Sequence, residues 1–257
     1  MRYPVLCLLA FTLAVLSCDQ DKATAVQKTD VTLQFQGVFG ARPLLMYADQ
    51  YAYEAGMNVK LQLFQFYVSD VALLKQNGNT LDTVKLLDIG LVSFKDIQNS
   101  AQAATGVQLN LKDVPLGSYN GVYLGIGVSP VLNATSPADY TPPHPLDGNY
   151  WSWARGYIFS KIEGNAAFDG SSQFNAPLTF HIGENQFYRE KTILQPIAID
   201  ESHKTLSFRV DLRRVLVGAD GKFLDFRQVT QDHTVNKDIA RFLSDNLKEA
   251  ISFEPIK

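Results

Sequence analysis

The sequence predicts an all-β fold, a β-sandwich of Greek-key, Ig-like or related topology, with one short C-terminal helix. About ten short segments alternate apolar and polar residues as half-buried strands do, and Gly, Pro and Asn clusters separate them. No strand–helix–strand spacing of a parallel α/β sheet is present. Helical period occurs once, where Ile239, Phe242, Leu243, Leu247, Ala250 and Ile251 fall on one stripe near the end.

In chain order, Val31, Leu33 and Phe35 alternate with polar residues up to a Gly-rich turn at 37–42. Val59, Leu61 and Leu63 carry the next strand. At Leu63-Phe64 the apolar phase flips to Phe64, Phe66 and Val68, which predicts a β-bulge. The strand turns at Asn77-Gly78-Asn79 and returns over Val84 to Ile89. Residues 100–106 read as a small polar loop, and Val107, Leu109 and Leu111 as a strand. In Gly121 to Val128, Gly121, Gly125 and Gly127 share one face, predicting close approach of another group, with the Trp-bearing segment as the candidate cover. A Pro-rich loop fills 129–149, and strands follow over 177–182, 187–199 and 206–212.

The loop at 129–149 feeds into Tyr150-Trp151-Ser152-Trp153-Ala154-Arg155-Gly156-Tyr157-Ile158-Phe159, which holds both tryptophans of the chain. Read as one extended strand, it places Trp151, Trp153, Tyr157 and Phe159 on a single face. Such an aromatic ladder belongs to a core strand or to a functional face.

The start of the chain reads as an export leader. Arg2 precedes an apolar run from Val5 to Leu16 that is too short to span a bilayer. The run ends in Val15-Leu16-Ser17-Cys18, similar to a bacterial lipobox, so the expected organisation is a lipoprotein signal peptide at 1–17, a lipidated Cys18 heading a tether at 18–30, and a folded domain at 31–257. The only cysteines are Cys7 and Cys18, so the folded part has no disulfide and no thiolate ligand. A metal would have to use His, carboxylate, Met or backbone groups. The net charge of −3 and the lack of a basic cluster argue against nucleic acid as a partner.

No nucleotide-binding, zinc-protease, serine-hydrolase or calcium-loop motif occurs. The four histidines can therefore be weighed singly. His144 lies among Pro142, Pro143 and Pro145. His181 ends the strand at Phe180-His181-Ile182-Gly183. His203 sits at a polar hairpin tip expected to face solvent, and His233 precedes the final helix. Imidazole suits copper, zinc or nickel.

The Trp-rich string resembles the signature of the MbnP family of exported copper-associated proteins. Leu63-Phe64-Gln65-Phe66-Tyr67-Val68-Ser69, Gly117-Ser118-Tyr119-Asn120-Gly121 with Ile126-Gly127-Val128, and Phe180-His181-Ile182-Gly183 resemble further family segments. Asn149 stands where the family often has Met. The resemblance implies a β-sandwich domain, a copper cofactor, and a MauG-type di-haem peroxidase partner that oxidises a tryptophan to kynurenine. It implies His181, His233 and His144 as candidate metal ligands, and Trp151 or Trp153, with Tyr157 beside them, as the modified aromatic site.

The expected function is thus a copper-binding lipoprotein without turnover, anchored by lipid in the bacterial cell envelope, facing the periplasm or on the outer-membrane surface. The alternative is a non-catalytic carbohydrate-binding or adhesion sandwich whose paired indoles stack on sugar rings. An enzyme is the weakest reading, because nothing sets Asp139, Asp147 or Glu163 as a catalytic pair.

Overall fold

The computed structural model describes residues 26–154 and 156–254. The leader and Cys18 lie outside the described residues. Of the tether, Lys28 to Asp30 already belong to the first strand.

Two sheets enclose one core. The first sheet orders β12 (Ile251–Glu254), β10 (Thr205–Asp211) and β1 (Lys28–Phe39), with β4 (Val107–Pro115) on the other side of β1. The second orders β9 (Arg189–Ile193), β5 (Gly121–Ile126), β2 (Asn58–Asn77), β7 (Gly156–Ala167), β8 (Ala176–Gly183) and β11 (Gln231–Asp232), with β3 (Thr80–Ser93) also paired to β2. This bears out the predicted β-sandwich. Pairing is mostly antiparallel, but β1 with β10 and β8 with β11 run parallel.

Alternation explains the layers, because side chains two apart share a face. Val31, Leu33 and Phe35 of β1 and Leu206, Phe208 and Val210 of β10 point into the core. Phe35 stacks on Phe208 at 5.0 Å and meets Phe66 of the opposite sheet edge-on at 6.2 Å. The apolar phase of β2 does flip: Leu61 pairs with Gly164 and Leu63 with Glu163, so Gln62 is the extra residue of a bulge. After it, Phe64, Phe66 and Val68 face the main core, while Tyr67 is turned to a second apolar cluster on the outer side of this sheet.

That second cluster holds Tyr67, Ile89, Val128, Leu146, Tyr157 and Phe159. The Pro-rich segment covers it, and is less of a loop than expected: it carries a helical turn, α2 (Pro130–Asn133), and a 3-10 turn at Pro137–Asp139. A buried polar chain ties it down. Gln65 Nε2 donates to Asn149 Oδ1 at 3.3 Å, Asn149 Nδ2 donates to the Tyr67 hydroxyl at 2.9 Å, and that hydroxyl donates to the Pro145 carbonyl at 2.5 Å.

Several expectations are corrected. The Trp string is not one strand: β6 (Tyr150–Trp151) ends in a turn at 152–154, and β7 then runs back with Gly156 opposite Trp151 and Tyr157 opposite Tyr150. Asn133 holds the return, its Oδ1 accepting from the Tyr157 N–H at 2.7 Å. The expected four-ring ladder is therefore broken. Of the glycines of β5 and its exit, Gly121 is covered by the Ile193 carbonyl and Gly125 by the Tyr188 hydroxyl, and only Gly127 is covered by the Trp-bearing segment as expected, through the Phe159 ring. The segment expected as a loop at 100–106 forms α1 (Ser100–Thr105), because Asn99 caps it by accepting from the Gln102 N–H and Gly106 ends it at φ +66°. The strand at 206–212 passes straight into α3 (Leu212–Leu216), and the predicted C-terminal helix is α4 (Lys237–Ala250), which buries Ala240, Leu243, Leu247 and Ala250.

Gly127 combines φ +104° with a would-be Cβ 2.7 Å from the Phe159 ring. Gly127→Ala is expected to cost about 1–3 kcal/mol from backbone strain alone, with displacement of the ring added. Urea unfolding would read this as a lower midpoint at unchanged slope; an unchanged midpoint would refute it.

Candidate functional site

On β7, Ile162, Gly164 and Ala166 are buried, so Lys161 and Glu163 project from the outer face. On β8, Leu178, Phe180 and Ile182 are buried and Thr179 and His181 project. Lys161 lies directly across from His181 and Glu163 across from Thr179, which makes Glu163 the diagonal neighbour of His181. The Glu163 carboxylate meets His181 Nε2 at 2.7 Å.

The second histidine arrives through β11. Its parallel pairing sets Phe180 beside Asp232, and the next residue, His233, comes level with His181. The two imidazoles stack with centroids 4.8 Å apart and planes 22° apart. A clamp holds the spacing. The Thr234 hydroxyl donates to the His181 carbonyl and accepts from the Gly183 N–H, both at 3.0 Å. Asp232 accepts from the N–H groups of Thr234 at 3.0 Å and Asn236 at 2.9 Å, which closes the turn, and Asn236 caps α4. Thr234 sits at φ +62°, an unfavourable conformation for a β-branched residue that these bonds sustain.

Aromatic rings roof the pair. Trp151 lies against Gly183, whose would-be Cβ would be 2.7 Å from its ring, so only glycine leaves room for the indole here. The Trp151 ring is 6.4 Å from His233 and 5.0 Å from Trp153. Trp151 is 9% exposed and Trp153 64%. The indoles are neighbours, as the sequence suggested, but through a turn, and a sugar-stacking platform would find only one of them open.

The remaining candidates lie apart from this constellation. His144 stacks on Tyr140 at 4.1 Å and its Nδ1 accepts from the Leu146 N–H at 3.2 Å, so its ring serves the Pro-rich segment. Tyr157 is fully buried in the second cluster, edge-on to Tyr150 at 5.0 Å. His203 is exposed and bonded to Asp200. Sequence reading missed the roles of Thr234 and Gly183 and saw Glu163 only as one of several carboxylates. Glu163 had a legible signal, being two residues from Lys161 on the polar face of its strand.

Burial lowers the pKa of His181 below the ordinary imidazole value; hydrogen bonding to Glu163 opposes this and His233 adds to it. Burial likewise lowers that of Lys161. The His181 imidazole is therefore neutral at neutral pH. Among the described residues, no three His, Cys, Asp or Glu side chains form a ready-made metal cage. Two stacked imidazoles, His181 on β8 and the exposed His233 just past β11, still fit a copper ion as an open two-nitrogen donor set.

The family model for MbnP matches residues 28–245 of this chain. Among solved structures, MbnP from Methylosinus trichosporium is similar, with 18% identity and a TM-score of 0.47, over 74% of this chain and 78% of that one. No curated protein sequence matches.

Two outcomes follow from the clamp and the imidazole. Thr234→Val leaves the buried Gly183 N–H unsatisfied and is expected to cost about 1–3 kcal/mol, read by chemical denaturation; a cost near zero would remove the clamp from the account. Because the folded pKa of His181 lies below the unfolded value, the unfolded chain takes up the proton first as pH falls. The contribution of His181 to stability is then lost progressively below about pH 6.5, and His181→Gln should flatten that part of the stability-versus-pH curve.

Proposed function

Since the chain belongs to the MbnP family, we propose that it is an exported, lipid-anchored copper-binding protein, with Trp151 or Trp153 converted to kynurenine by a di-haem peroxidase partner. The observation that carries this reading is the stacked pair of His181 and His233 beneath adjoining indoles. His181 and His233 would hold the metal, and His144, bound into the Pro-rich segment, would not. The protein itself performs no turnover. Copper, when bound, supplies one-electron redox chemistry or an ion to be carried.

The chain's own residues prepare the site. Thr234 and Asp232 set the imidazole spacing, Gly183 admits Trp151, and the turn at 152–154 presents Trp153 to solvent. In the modification, the indole C2–C3 bond breaks and two oxygen atoms from two peroxides enter. Two waters leave, and hydrolysis then releases C2 as formate. The product carries a carbonyl and an aniline nitrogen, which on Trp151, whose ring is 6.4 Å from His233, would lie near enough to join the donor set.

Purification from the native envelope is expected to yield about one copper per chain, and His181→Ala or His233→Ala should abolish stoichiometric binding while His144→Ala should not. The intact mass should show one tryptophan converted to kynurenine, mapped to Trp151 or Trp153. An unmodified, metal-free chain that takes up no added copper would defeat the proposal and favour sugar binding through Trp153.

A further inference from the structure

We infer that Glu163 is the positioning residue of the imidazole pair: its carboxylate holds His181 as the Nε2–H tautomer and leaves Nδ1 as the nitrogen available to a metal. Which nitrogen would bind rests on the copper reading; the tautomer does not.

A neutral imidazole carries its proton on one nitrogen and a lone pair on the other, and a partner that only accepts hydrogen bonds selects the protonated nitrogen. The Glu163 carboxylate is such a partner, 2.7 Å from Nε2. Its hold on the ring is geometric. The sheet register makes Glu163 and His181 diagonal neighbours on one face, with Lys161 directly across from His181. The carboxylate is 34% exposed and the imidazole 15%, so the bond sits at the edge of the buried layer, where solvent competes weakly with it. His233 stacks face to face with the ring instead of bonding either nitrogen edge-on. Nδ1 thus keeps its lone pair, and a carboxylate on the far nitrogen raises the basicity of the near one and fixes the ring's orientation. The other carboxylate of this stretch, Asp232, is taken up by two backbone N–H groups and cannot play the part.

The test uses the metal-free protein, labelled with ¹⁵N at histidine, at pH 8. Long-range ¹H–¹⁵N spectra assign the tautomer of His181, and Cu(II) titration measures affinity. Wild type is expected to show Nε2–H. Glu163→Leu should lose that preference and bind Cu(II) about 10–100-fold more weakly, whereas Glu163→Gln, whose amide oxygen can accept the same bond, should retain most of both. A merely structural role would lower stability without moving the tautomer. An Nδ1–H tautomer in wild type, or an unchanged tautomer in Glu163→Leu, overturns the inference. The expected tautomer pattern in a wild type that binds no Cu(II) supports the Glu163 assignment and overturns the copper reading instead.

Discussion

The site depends on a very short piece of backbone pairing. Two residues of β11 run parallel to β8, Gln231 beside Thr179 and Asp232 beside Phe180, at the edge of the nine-stranded sheet. A ladder that brief contributes little cohesion by itself. Its register nevertheless decides everything above it, because a slip of one residue would turn His233 to the other side of the strand. The side-chain bonds of Asp232 and Thr234 make good what the ladder lacks. They join the turn to the C-terminus of β8 and to the cap of α4, so the helix, the strand edge and the second imidazole are held as one unit.

A second constraint acts from the opposite direction. The Trp turn would hang from a two-residue strand if nothing else held it, yet Asn149, immediately before β6, is anchored in the chain that runs from Gln65 to the Pro145 carbonyl, and its own carbonyl accepts from the Ile158 N–H at 2.8 Å. A buried amide is costly unless its donors and acceptor are used. Here its oxygen and one of its N–H groups are used, so Asn149 gives the Pro-rich segment and the Trp turn a common anchor. Hydrophobic filling at this position would cover the second cluster but leave the Tyr67 hydroxyl and the Gln65 amide to find other partners.

Much of the fold was legible because it obeys parity. The strands of β1, β2 and β10, the amphipathic stripe of α4 and the phase flip that marks the Gln62 bulge all follow from which residues must be buried together. The Trp turn was not legible. Ser152-Trp153-Ala154 offers only Ser152, a weak turn former, and no Gly, Pro, Asn or Asp, and alternation across it mimics one continuous strand. The helix at 100–105 was missed for the opposite reason: its small polar residues have no apolar stripe, and a cap at Asn99 with Gly106 after it sustains a single turn and a half. The convergence of His181 with His233 left no trace in the local pattern, since it arises from a parallel contact across three intervening strands and a helix.

Burial divides the two indoles in a way that bears on their chemistry under the copper reading. Trp151 is packed on Gly183 and its ring is 6.4 Å from His233, so a nitrogen or carbonyl created there would lie beside the imidazoles. Trp153 is open to solvent and is the ring a large partner can touch first. With 5.0 Å between the indole centroids, oxidising equivalents that the proposed partner would deliver to the open ring would need to cross only one contact to reach the covered one. Proximity to the donor set then favours Trp151 as the residue whose modification would change metal binding, with Trp153 as the point of access. The paired rings are in this view two parts of one device, and the turn that sequence parity could not resolve is what sets them side by side.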